Sequence, residues 1–228
     1  MEENEMKFMS YDSPIVQLLN KITDLIGLNV LYILSCIPLF TIGAAQAGLY
    51  TAAKVMLDKE DDTSVFAAYW RGFKTGFGTV TAAWGIVTVV LLFVIWFDVA
   101  AYMLGLPLVV LLIGGGIVFM YQTMLPAFHS RFGNNFKMLM RNTFFFITAY
   151  PLQCIGVTII NLLPFILFAV TDLYTVLGAL PVFIMFYFST AVMTSYMLLR
   201  KPFETLISMN KHATEDAENA ENAENSEE

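Results

Sequence analysis

The chain has 228 residues, of which 57% are hydrophobic and only 14% charged, against about 25% charged in soluble domains. A soluble globular protein of this length has too little interior to hide that much apolar surface, so composition excludes that class. The formal net charge of −7 belongs to one end, because Glu215, Asp216, Glu218, Glu221, Glu224, Glu227 and Glu228 account for all of it.

Residues 1–12 are expected to be disordered. Ser13-Pro14 reads as a helix start, with Ser at the cap and Pro at the first helical position. Ile15, Leu18, Leu19, Ile22 and Ile26 recur at helical spacing, with Gln17, Asn20, Lys21 and Asp24 on the other face. This predicts an interfacial helix leading into the first of five charge-free runs: 25–53, 75–97, 99–130, 142–171 and 173–199. Each run exceeds the roughly 20 apolar residues that cross a ~30 Å hydrocarbon core. They are apolar all round, whereas the helices of a soluble core carry an apolar stripe. Inside the first run, Pro38 should end one helix, and Thr41 is placed to cap a second over 42–57. Ala45-Gln46-Ala47 has the small-residue look of a cleavage site, but the long acidic stretch before the run does not suit a secretory signal.

Between the first two runs, 58–62 reads as a solvated turn. The segment from Phe66 to Lys74 then interleaves aromatic and basic residues, and Phe66, Tyr69, Trp70 and Phe73 share one helical face. Aromatic rings favour the headgroup level, and basic heads suit an anionic leaflet. Phe66, Tyr69, Trp70, Arg71, Phe73 and Lys74 are therefore candidate contacts with the membrane surface or a partner. Arg131 and Lys137 join them from the segment 127–141, which repeats the aromatic and basic style. His129 in that segment is expected at the solvated interface. Pro151 and Pro164 should kink the fourth run, and Gly114-Gly115-Gly116 permits close helix approach in the third. The segment 212–228 repeats Ala-Glu-Asn and is expected to form a disordered acidic tail.

Basic residues concentrate in 54–74, 127–141 and 200–211, whereas the other two connections hold only Asp98 and Asp172. The positive-inside rule places the basic segments and the C-terminus in the cytoplasm, with Asp98 and Asp172 at tight outer hairpins. The expected architecture is all-α: a polytopic transmembrane helix bundle over 13–211 with about five crossings and an outer N-terminus. Re-entry of the first run at Pro38 is the alternative, with four crossings and both termini inside.

No Asp, Glu, Lys or Arg lies within a run, so the charge partner of a coupling ion is missing. The amides Asn29, Gln46, Gln122, Gln153 and Asn161 are the main intramembrane polar groups, and helix gluing is their expected use. The sequence lacks a Walker motif, a nucleophile–base pair and a His-Glu-x-x-His motif. No enzyme, cofactor or metal is expected, and two basic residues per cluster make no nucleic-acid track. Cys36 and Cys154 read as small buried apolar residues.

The opening resembles the YesL family of bacterial membrane proteins, also called DUF624. The resemblance rests on Ser13-Pro14, Asp24-Leu25, Leu28-Asn29, the stretch Ile37-Pro38-Leu39-Phe40-Thr41-Ile42-Gly43-Ala44-Ala45, Lys54, and the aromatic–basic stretch from Phe66 to Lys74. It implies an integral protein of the bacterial cytoplasmic membrane without assigned chemistry, from a family associated with carbohydrate uptake and utilisation. The expected partners are the lipid bilayer, subunits of an ABC sugar transporter, or a second copy of the chain. The expected role is a non-enzymatic accessory protein. The alternative is a small permease for a neutral solute such as a sugar.

Overall fold

A computed structural model describes residues 14–58, 63–105, 108–133 and 135–224. The disorder expected over 1–12 lies outside these residues. Among the described residues the fold is all α-helical, with α1 (Pro14–Ser35), α2 (Ile42–Asp58), α3 (Val65–Met103), α4 (Leu108–Phe132), α5 (Phe136–Ala149), α6 (Pro151–Val170) and α7 (Leu173–Glu224). Four helical stretches are long and apolar enough to cross a membrane: Ile15–Ser35, Val65–Met103, Pro151–Val170 and Tyr174–Lys211.

The run 25–53, expected to cross once, is two helices. Pro38 has no N–H to offer and disfavours helical dihedrals at Ile37, so α1 stops at Ser35. A short 3-10 turn, Leu39–Thr41, follows. Thr41 acts differently from the expected cap of the second helix. Its hydroxyl donates to the carbonyls of Ser35 and Pro38, which satisfies groups orphaned at the end of α1. The second helix begins at Ile42, where the sequence places it.

The chain then doubles back. Gly43 lies against Trp84, Ala47 against Gly76 and Thr51 against Gly72, so α2 runs antiparallel to α3. Leu25 pairs with Ser189 and Asn29 with Met185, so α1 runs antiparallel to α7. Asp58 at the end of α2 meets Tyr196 and Arg200. From the Leu25–Ser189 pairing, α1 starts toward the level of Arg200, at the same end as the close of α2. The fold is the expected all-α bundle, with four candidate spans among the described residues, and within it 25–53 doubles back. The re-entrant alternative describes α1 and α2 better.

Small residues hold α2 inside the bundle. Gly43, Ala44, Ala45, Ala47, Gly48, Ala52 and Ala53 are all buried, and they let the α2 and α3 backbones approach closely. Amides join the other helices. Asn29 is fully buried; its Nδ2 donates to the Met185 carbonyl at 2.6 Å, and its Oδ1 accepts from the Ser189 N–H at 3.0 Å. Those two backbone groups stand four residues apart on α7, so Asn29 holds both ends of one rung of its ladder. Gln122 donates to Thr88 Oγ1 at 2.8 Å and ties α4 to α3. Asn161 instead bonds within its own helix, to the Val157 carbonyl. Replacing Asn29 by Leu should cost about 1–2 kcal/mol, the range of interhelical hydrogen bonds in membranes. Unfolding of the full chain in mild detergent by SDS titration checks this, and an unchanged midpoint would contradict it.

The run 142–171 divides at Tyr150, with Pro151 opening α6. Tyr150 sits at φ −129°, ψ 56°, outside the helical region, as a residue before proline prefers. Asp172 marks a hairpin as expected. It caps α7 by accepting from the Thr175 hydroxyl at 2.7 Å and the Thr175 N–H at 3.1 Å, and these bonds hold its carboxyl below the usual carboxylate range. Asp98 does not mark one. α3 continues past it to Met103, and the turn uses Gly105 at φ +89°. Asp98 instead faces an otherwise apolar groove of about 570 Å³ beside Gly115 and Gly116.

Two helices outrun the bilayer. At 1.5 Å per residue, the 39 residues of α3 span about 58 Å and exceed a ~30 Å hydrocarbon core. The 52-residue α7 continues through Glu224. The tail expected to be disordered is therefore helical as far as Glu224. Ala and Glu are strong helix formers, and Lys211 pairs with Glu215 one turn on at 3.7 Å.

Candidate functional site: the basic end of the bundle

The structure gathers the three basic segments at one end. Asp58 organises it. As the last residue of α2 it opposes the helix dipole, which favours cations there. Its side chain is nevertheless only 4% exposed, because three partners compensate it. Tyr196 donates to Asp58 Oδ2 at 2.6 Å, and Arg131 Nη1 lies 3.4 Å from the same oxygen. Arg200 Nε lies 3.2 Å from Oδ1 and 3.0 Å from Glu204. The sequence placed Asp58 in a solvated turn; the structure buries it. The rest of that turn, 59–62, lies outside the described residues.

An aromatic core supports this cluster. Phe128, Phe132, Phe146 and Phe203 pack ring against ring, with centroids 4.5 Å apart for Phe128 and Phe132 and 5.2 Å for Phe146 and Phe203. The segment 127–141 is thus mostly helix, and Gly133 at φ +56° turns α4 toward α5. That positive φ suits glycine, which has no Cβ to clash.

The sequence candidates separate into three groups. Tyr69 does not belong to a contact surface: it is fully buried, with its backbone and ring against Gly48 of α2. Phe66 rests partly on Gly27 of α1 and keeps 39% of its surface. Trp70 is 43% exposed, Phe73 half-buried and Lys74 exposed. Trp70 meets Phe73 edge to face at 5.5 Å, which fixes an outward aromatic ledge on α3 with Lys74 beside it. Arg71 takes a different direction and lines a cavity with Arg131. Lys137 is exposed on α5 and does not line that cavity.

The cavity measures about 620 Å³ and lies between α2, α3 and the end of α4. Lys54, Arg71 and Arg131 contribute charge, and Thr51, Thr75, Thr79, His129 and Ser130 contribute polar surface. His129, expected at the solvated interface, is buried against it. No sequence period joins residues 54, 71 and 129–131, so only the packing of three helices reveals the cavity. The only hint was the basic composition of both segments.

Residues 25–99 match the model of the family DUF624, described as a protein of unknown function. The match agrees with the resemblance drawn from residues 13–78, and it contains α2, the aromatic ledge and two of the three cavity cations. No curated protein and no solved structure matches the chain.

Proposed function

We propose, from the match of residues 25–99 to the DUF624 family model, that this membrane protein is a non-enzymatic accessory protein linked to carbohydrate uptake in bacteria. It sits in the cytoplasmic membrane with the basic end and the C-terminus in the cytoplasm, and it docks on a subunit of an ABC sugar transporter. The observation that carries this reading is the exposed ledge of Trp70 and Lys74 at the start of α3, rimmed by Phe66. Rigid aromatic anchors flanked by charge are the residues that dominate protein contacts. The length of α3 lifts this ledge to the headgroup level, where a neighbouring membrane protein can meet it. The buried carboxylate nearby is engaged by Arg131, Arg200 and Tyr196, which leaves it structural. The positive-inside rule supports the orientation, and the family resemblance supports the carbohydrate link.

Replacing both Trp70 and Lys74 by Ala should lower recovery of the transporter subunit by about tenfold or more, since losing one aromatic anchor costs about 2 kcal/mol. Membrane content should stay unchanged, because neither side chain is buried. Quantitative co-purification in mild detergent measures this, and equal recovery would remove the docking assignment. Tyr69 is left out of the variant because its truncation would damage the core.

One observation favours the second reading, a small permease for a neutral solute: the polar cavity at the basic end. Against it, Val80, Ala83, Val87, Met124 and Leu125, all buried, occupy the stretches of α3 and α4 between the residues that line that cavity and those that line the groove beside Asp98. Sugar flux into proteoliposomes above that of empty vesicles would shift the assignment to the permease.

A further inference from the structure

We propose that the cavity between α2, α3 and α4 binds a phosphate-bearing anion, an assignment independent of any partner docked on the outer ledge. Its lining joins three cations from three helices: Lys54, Arg71 and Arg131. Among the described residues no carboxylate lines it. The described cavities at the other end of the bundle are lined almost wholly by apolar side chains, so this one is set apart by chemistry as well as place. A volume of about 620 Å³ falls within the ordinary range for small-molecule sites. It holds a phosphate with a glycerol or sugar attached.

The donors are specified by what the neighbours already do. Thr51 donates to the Ala47 carbonyl, Thr75 to Arg71 and Gly72, and Ser130 to Ala127. These three hydroxyls are engaged on their own helices; the ammonium, the two guanidinium groups and the His129 imidazole bring the charged and ring N–H groups of the lining, beside Thr79 and Asn135. Guanidinium forks match phosphate geometry, and an ammonium adds a point charge. Arg131 is preorganised: its side chain is 10% exposed and is held by Asp58 and Tyr196. The Asp58 carboxylate is compensated by Arg131 and Arg200 and does not itself line the cavity. The cavity also lies at the basic end of the bundle, between the close of α2, the start of α3 and the close of α4. Basic pockets between helices at such an end take anionic headgroups.

The same chemistry has two sources, an anionic phospholipid of the leaflet or a free phosphorylated solute. The test uses the full chain. In one arm it is purified from vesicles of phosphatidylglycerol and phosphatidylcholine, and the retained lipid is weighed by native mass spectrometry. In the other it sits in phosphatidylcholine nanodiscs, and glycerol 3-phosphate and inorganic phosphate are titrated against sodium chloride of equal ionic strength while the unfolding midpoint is followed. We expect phosphatidylglycerol retained well above its share of the vesicle, or a saturable rise in midpoint with the phosphate compound. Whichever arm responds, the Lys54→Gln, Arg71→Gln double variant should weaken binding by about tenfold or more, since it removes two charged donors to the anion. Lys137→Gln, outside the cavity, should leave binding unchanged. The wild type carries the test if the double variant does not fold, since no preference in either arm overturns the proposal. Equal weakening by Lys137→Gln also overturns it, by exposing a general charge effect.

Discussion

Asp58→Ala should destabilise the protein by about 3–5 kcal/mol, the cost of removing one partner from a buried ion pair. The chemistry is asymmetric. Arg131, with a side chain only 10% exposed, would keep its charge and lose the carboxylate 3.4 Å away. Tyr196 would lose the acceptor of its 2.6 Å hydrogen bond. Arg200 has 49% of its side chain exposed, so water replaces the lost partner there and Arg200→Ala should cost far less. Titration with SDS from mild detergent, or steric trapping in bicelles, measures both. If Asp58→Ala costs no more than Arg200→Ala, Asp58 does not organise the basic end.

Gly48→Leu and Gly72→Leu should be as damaging, because the obstruction is backbone. A Cβ on Gly48 would lie 2.9 Å from the Tyr69 carbonyl oxygen, and one on Gly72 would lie 2.9 Å from the Ala47 carbonyl oxygen and 2.3 Å from Thr51 Oγ1. Neither carbonyl can rotate away, so α2 and α3 must separate, and α2 loses its close seat in the bundle. Overpacking in a dense core costs about 1–3 kcal/mol and occasionally more, and a rigid helix pair belongs at the upper end. Gly78 and Gly85 supply the control on the same helix, since a Cβ at either meets nothing within 4 Å. Gly78→Leu and Gly85→Leu should leave the unfolding midpoint nearly unchanged. A uniform cost across all four would contradict the assignment to the α2–α3 contact, since helix propensity alone favours Leu over Gly.

What the sequence reveals follows from how local the determinant is. Proline acts on its own peptide unit, so the start at Pro14, the stop before Pro38 and the break before Pro151 are legible, and α2 begins where expected. Crossing number is not local. A charge-free run of the length of 25–53 has the same composition whether it spans once or folds back, and only the pairing of α1 with α7 and of α2 with α3 distinguishes the two. The basic end shows the same limit. Charge bias joined the right segments, because that bias is a property of composition. It could not separate Tyr69, which packs on Gly48, from Trp70, which faces outward, although both lie on one aromatic stretch. Nor could it bury Asp58, whose partners come from helices far along the chain, or His129, which lies against a cavity built by three helices.

The docking claim is tested most directly by a photocrosslinking residue at position 70 in cells growing on polysaccharide, with the same residue at position 96 as the control. Trp96 is 66% exposed and lies toward the other end of α3. The account predicts a covalent adduct with an ABC sugar-transporter subunit from position 70 and none from position 96. Adducts with lipid alone, with a second copy of the chain alone, or with the same proteins from both positions would contradict it.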